Sequence, residues 1–134
     1  MQIELDHVMV SALDQRASAE LLGRLLGVPW AASGAGPFSP VYLNSGVTID
    51  FIDDQAPLPI QHFCFRVDDA KFDAILERIR AAGIAYRSVV HGSDDMQISH
   101  AFGGRLVYWN VPDEHRLEML TVSYARQPMT PPNR

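Results

Sequence analysis

The chain has 134 residues, 47% of them hydrophobic, and eleven basic against sixteen acidic residues leave a net charge of −5. That size and apolar content suit one soluble globular domain with a substantial interior, and the acidic balance, with no cluster of Lys or Arg, argues against a nucleic-acid partner. No apolar run approaches the roughly 20 residues of a membrane-crossing helix, the acidic opening Met1-Gln2-Ile3-Glu4-Leu5-Asp6 is the wrong start for a signal peptide, and a single cysteine permits no intrachain disulfide, so a cytoplasmic protein is expected.

Ile3, Leu5, His7 and Met9 alternate with Glu4, Asp6, Val8 and Val10, a two-residue period that predicts a strand and puts His7 on a defined face. A helix follows: Asp14 suits an N-cap, Ala17, Leu21 and Leu25 share a face, and Gly27 is placed to end it in a left-handed cap. Ser33-Gly34-Ala35-Gly36-Pro37 reads as a loop, leading to strands over 41–44 and 47–52 around a Ser45-Gly46 turn. Pro57-Leu58-Pro59 reads as a linker, after which the programme restarts with a strand from Ile60 to Val67. Asp68 caps a second helix with Phe72, Ile75, Leu76 and Ile79 as its apolar stripe and Gly83 at its end. The polar stretch from His91 to Gly104 is a long irregular loop, of the kind that more often serves a site as a lid. From Arg126 on, three prolines without periodicity predict a disordered tail over 126–134.

The two halves repeat each other. Val41-Tyr42-Leu43-Asn44 recurs as Val107-Tyr108-Trp109-Asn110, 66 residues on, and each copy runs into an apolar strand with a carboxylate at its middle, Asp50 or Glu118. Each half also opens on a histidine-bearing strand, with His7 and His62 55 residues apart. A single domain over 1–125 is therefore expected, with module one at 1–56 and module two at 57–125 sharing one core. Two imidazoles with one or two carboxylates form a borderline-hard donor set for a divalent metal with open positions.

Alternation places His62 with Ile60, Cys64 and Arg66 on one strand face and Phe63, Phe65 and Val67 on the other. Arg66 can there hold a substrate carboxylate, carbonyl or phosphonate; its competing reading is a structural pair with an acid. Glu118, between Leu117 and Met119, and Asp50, between Ile49 and Phe51, each need a metal, an arginine or hydrogen bonds. Tyr108 lies ten residues and one turn ahead of Glu118, which lets its phenol enter the same cavity. His91, His100 and His115 stand outside the duplication and default to solvated loop residues. Of these His100, near Gly103-Gly104, is the one placed to reach over a site as acid, base or substrate contact. Cys64 reads as a small buried hydrophobe.

With these residues in place, the chain up to about Tyr124 resembles the vicinal oxygen chelate superfamily, which includes glyoxalase I, extradiol dioxygenases, fosfomycin-resistance thiol transferases and bleomycin-resistance proteins. The likeness rests on His7 within Asp6-His7-Val8-Met9-Val10, on Gln61-His62-Phe63, on Glu118 within Arg116-Leu117-Glu118-Met119-Leu120, and on Tyr108 ahead of Val111-Pro112-Asp113-Glu114-His115, which stands where the family has Asp-Pro-Asp-Gly-His. Asp50 falls where some members carry an acid. The resemblance implies an α+β fold of two βαβββ modules forming an open, partly closed mixed β-barrel with flanking helices. It implies a divalent metal ion (Fe, Mn, Ni, Zn or Co) on His7, His62 and Glu118, with Asp50 as a candidate fourth ligand, and a homodimer.

The activity it implies is that of a metal-dependent enzyme, a glyoxalase-like lyase or isomerase or related chemistry, acting on a small oxygen-rich substrate chelated to the metal. Glu118, Tyr108 and His100 are then the catalytic candidates, and Arg66, Tyr108 and His100 the substrate contacts. The alternative is a non-catalytic binding protein of the bleomycin-resistance type, and a third reading is a single-domain dioxygenase; the presence of both histidines and the glutamate favours an enzyme. Two departures stand out: Glu114 replaces a glycine suited to a left-handed turn, and Asp50 is one methylene shorter than the corresponding glutamate of glyoxalase I.

Overall fold

The structure, a computed structural model, describes residues 2–125; the tail over 126–134 lies outside the described residues. In chain order the elements are β1 (His7–Ala12), α1 (Gln15–Leu26), β2 (Ser39–Tyr42), β3 (Thr48–Asp53), β4 (His62–Arg66), α2 (Asp69–Ala81), β5 (Tyr86–Arg87), β6 (Leu106–Asn110) and β7 (Arg116–Leu120). They form two mixed sheets, β1-β3-β2 and β4-β7-β6-β5. In each, the first strand runs parallel to the last and the remaining pairs are antiparallel. Module one lacks a counterpart of β5, but Trp30 makes a single antiparallel bridge to Val41 at the corresponding place. The fold is thus the expected incompletely closed α+β arrangement of two modules, βαβββ in the second and βαββ with a single bridge in the first. No helix among the described residues is long and apolar enough to cross a membrane.

Both helix starts follow from their caps. The Asp14 carboxylate accepts from the Ala17 N–H at 3.0 Å, and Asp68 accepts from Lys71 at 2.8 Å. Gly27 ends α1 at φ 71°, and a side chain there would also strike the guanidinium of Arg78, whose Nη1 would lie 2.7 Å from a Cβ. Arg78 in turn donates to the Leu25 carbonyl at 3.1 Å, tying α2 to the C-terminal end of α1. The stripe Phe72, Ile75, Leu76 and Ile79 is buried as its spacing predicts. In α1 the buried face is Ser18, Ala19, Leu22, Leu25 and Leu26, while Ala17 is exposed and Leu21 half-buried. The adjacent pairs Leu21-Leu22 and Leu25-Leu26 leave two faces open to a periodicity argument, and packing against the sheet selects one. Residues from both modules share a single core.

Three departures from expectation bear on the site. Pairing of β1 begins at His7, opposite Thr48, so Ile3 and Leu5 stand exposed, with no strand beside them among the described residues. β2 lies two residues earlier than expected because it runs through Pro40; the strand is at a sheet edge, where a missing N–H costs no ladder bond. The third concerns the repeat itself. Pro40 pairs with Asp50 and Tyr42 with Thr48, whereas Tyr108 pairs with Glu118 and Asn110 with Arg116. Structurally, then, Tyr108 matches Pro40, and the Val-Tyr-x-Asn likeness is out of register by two residues. An even offset preserves the face, so both tyrosines still point to the side of their carboxylates.

Candidate metal site and adjoining cavities

Strand pairing explains why each half carries a histidine and an acid together. Met9 pairs with Asp50 and Cys64 with Glu118, so a histidine two residues earlier on the same strand shares the carboxylate's face. His7, Tyr42, Thr48 and Asp50 line one cavity of about 280 Å³ with Phe38 and Pro40. His62, Tyr108, Arg116 and Glu118 line a second of about 280 Å³ with His91 and Tyr124. The single chain keeps the two sets apart, and among the described residues no three His, Cys, Asp or Glu side chains gather as a metal cluster.

The second cavity is the more developed. His62 Nδ1 lies 3.1 Å from the Arg116 carbonyl, to which it can only donate, and this turns Nε2 toward Glu118 Oε1 at 3.3 Å. That is the spacing at which two donors share one cation with bonds of about 2.0–2.2 Å. Glu118 is completely buried; Oε1 accepts from the Tyr124 hydroxyl at 2.9 Å, and Oε2 has no hydrogen-bond partner among the described residues. A buried carboxylate oxygen left unpaired is costly unless a cation meets it, so the donor set fits a divalent metal. His7 makes a comparable contact: its Nδ1 holds Asp6 Oδ2 at 2.7 Å, which raises the imidazole pKa and, in the neutral ring, keeps the proton on Nδ1 and the lone pair on Nε2. Asp50 is buried behind it.

The surroundings of Glu118 are kept protonated. Burial, then the Glu118 charge, pushes the Tyr108 phenol up, and burial with the Glu118 hydrogen bond does the same to Tyr124. Both therefore act as hydrogen-bond donors at neutral pH. Burial and the same carboxylate push the Cys64 thiol up to about 12. Cys64 is nonetheless an exposed residue, not a buried hydrophobe, because β4 is an edge strand.

Arg66 lines a cavity of about 290 Å³ with Cys64, Ser123 and Tyr124, so Tyr124 stands between it and the His62–Glu118 cavity. Among the described residues it forms no ion pair, which leaves its guanidinium available to a ligand.

The remaining histidines are redistributed. His100 lies in a separate cavity with Asp68, Asp69 and Arg105, and the inserted loop delivers His91, not His100, to His62 and Glu118. Arg87, buried at the loop's start, places it: Nε donates to the Val90 carbonyl at 2.9 Å and Nη2 to Asn110 Oδ1 at 3.0 Å. His115 is no solvated loop residue but fully buried, its Nε2 donating to the Ser11 carbonyl and its Nδ1 accepting from the Gln61 N–H. Turn geometry brings it inside, with Asp113 and Glu114 both at positive φ (72° and 64°) despite the absence of a glycine. Sequence reading missed Tyr124 because it sits beyond the last strand, where no periodicity reports its direction.

Two solved structures are similar over nearly their whole length. One, described as oxidase ChaP-H2, has a TM-score of 0.87 and 38% identity, covering 92% of this chain and 97% of that one. The other, oxidase ChaP-H1, has a TM-score of 0.85 and 40% identity, covering 92% and 98%. A glyoxalase/dioxygenase from Nostoc punctiforme shares the fold at a TM-score of 0.65 and 20% identity, covering 90% and 91%. No family model matches the chain, and no curated protein does.

Proposed function

Because the chain belongs to the vicinal oxygen chelate superfamily, we propose that it is a divalent-metal-dependent enzyme that oxidises a small, oxygen-rich substrate. The observation that carries the metal is buried Glu118, whose Oε2 has no hydrogen-bond partner among the described residues and whose Oε1 faces Nε2 of His62 at 3.3 Å. A two-histidine, one-carboxylate set with open positions suits non-haem Fe(II), and the likeness to two proteins described as oxidases favours oxidative chemistry over the lyase reading.

His62 and Glu118 would hold the ion together with His7, and Asp50 stands behind His7 as a candidate fourth ligand. The ion, when bound, supplies Lewis acidity and an open coordination position to adjacent substrate oxygens. Tyr108, whose ring centroid lies 6.5 Å from that of His62, presents a protonated phenol to a substrate oxygen in the same cavity. His91 closes that cavity from the loop, and Arg66 offers a charged anchor to an anionic substituent.

His7 and His62 line different cavities of one chain, so the set is completed by a second copy, module one of one protomer facing module two of the other. Support comes from the sheet edges: β1 and β4, the strands that carry the two histidines, each have a side left unpaired by the described residues. Mixing His7→Ala with His62→Ala protein is the test, each alone taking up no Fe(II). A mixed dimer regains one intact set, so metal uptake and oxygen consumption with catechols, hydroxyquinones or oxo-acids should return in part. Mixtures as empty as their components would refute the shared site.

A further inference from the structure

Within the metal reading proposed above, we infer that Tyr124 is the positioning residue of the Glu118 carboxylate and that Phe102 locks it in place, so that the connection between β5 and β6 sets the pose of a metal ligand. Glu118 is fully buried, and the short hydrogen bond to its side chain among the described residues is the 2.9 Å one from the Tyr124 hydroxyl to Oε1, with Cys64 and Tyr108 as weaker donors beside the same carboxylate. Oε1 is also the oxygen that faces His62 Nε2 at 3.3 Å. The last torsion of a glutamate is broad and roughly two-fold, so the strongest donor, the Tyr124 hydroxyl, weighs most in which way the carboxylate plane lies.

Tyr124 belongs to no helix or strand; after β7 the chain turns back and returns its ring to Glu118. What fixes that ring is an aromatic neighbour from the opposite connection. Phe102 packs on it with centroids 4.8 Å apart and planes tilted by 40°. Phe102 itself adopts φ 65°, a conformation that a bulky residue rarely keeps unless its surroundings hold it. Two further contacts bind the segments side by side. A Cβ on Gly104 would lie 2.6 Å from Thr121 Oγ1, and that hydroxyl accepts from the Arg105 N–H at 2.9 Å. The insertion that distinguishes module two from module one thus reaches Glu118 through two rings.

The test is calorimetric titration of the metal-free full chain with Zn(II), comparing wild type, Tyr124→Phe and Phe102→Ala. Tyr124→Phe keeps the ring and removes only the hydroxyl, and it should weaken binding about 10- to 100-fold, the scale for losing a group that orients a metal ligand. Phe102→Ala, which touches no ligand, should weaken it in the same direction by a smaller factor. Metal-free spectra of ¹³C-tyrosine protein supply a second readout: the Tyr124 ring signal should move in both Phe102→Ala and Glu118→Gln. Unchanged or tighter binding by Tyr124→Phe overturns the positioning role, and a Tyr124 signal indifferent to Phe102→Ala overturns the lock. A wild type that takes up no Zn(II) while the tyrosine signal responds as stated sinks the metal reading and with it the role assigned to the contact, an outcome distinct from the other two.

Discussion

His115 Nε2 donates to the Ser11 carbonyl at 2.9 Å, while its Nδ1 accepts from the Gln61 N–H at 3.0 Å. One buried imidazole therefore joins the end of β1, the approach to β4 and the turn before β7. His115→Ala strands two backbone groups in the interior, each costing about 1–3 kcal/mol. A loss of about 2–4 kcal/mol is expected in urea unfolding; a change of less than about 0.5 kcal/mol, the level of an ordinary surface substitution, would mean that the joint does not hold the modules.

Glu118 opposes stability to function. In metal-free protein Glu118→Gln removes a buried charge with an unpaired oxygen and should leave stability unchanged or raise it by about 1 kcal/mol. The same substitution, like His62→Ala, should abolish metal uptake with the circular dichroism spectrum intact. Elemental analysis after reconstitution decides it, and metal retained by either variant argues against these ligands.

A homodimer is expected in solution, with sedimentation giving twice the 14.9 kDa chain mass. Met9 on β1 and Ile3 and Leu5 before it are exposed, and Met9→Asp should shift the equilibrium toward monomer while lowering metal uptake in parallel. Wild-type protein that stays monomeric at working concentration removes the basis for a shared site.

Arg66→Ala should weaken an anionic ligand by about 1.5–3 kcal/mol, the range for hydrogen bonds to a charged group. The comparison is made by calorimetry on metal-loaded protein with small hydroxy- and oxo-acids. Equal affinity in the variant returns Arg66 to the role of a surface cation.

Cys64 is exposed yet its thiol is held near pKa 12 rather than its usual 9.0. At pH 8 the thiolate is scarcer by a factor of at least about a hundred than in an unperturbed cysteine, and modification by a thiol-exchange reagent should slow in proportion. Glu118→Gln, which removes the second cause of the shift, should speed it. Reaction at the rate of a free thiol would count against a charged Glu118 beside Cys64.

The sequence by itself determined the architecture and the ligand-capable residues. Period-two alternation at His7, His62 and Glu118, the caps at Asp14 and Asp68, and the glycine at 27 are local signals, each fixed by a few neighbouring residues. The duplication added the pairing of histidine with acid, although strand register shows the Val-Tyr-x-Asn likeness to be two residues out of step. Only the tertiary structure decided what meets what beyond a strand. It buried His115, sent His91 rather than His100 to the cavity, and brought Tyr124 and Phe102 to Glu118. Those placements depend on turns and irregular connections, whose direction is set by long-range packing and hydrogen bonds, and no periodicity in the chain encodes them.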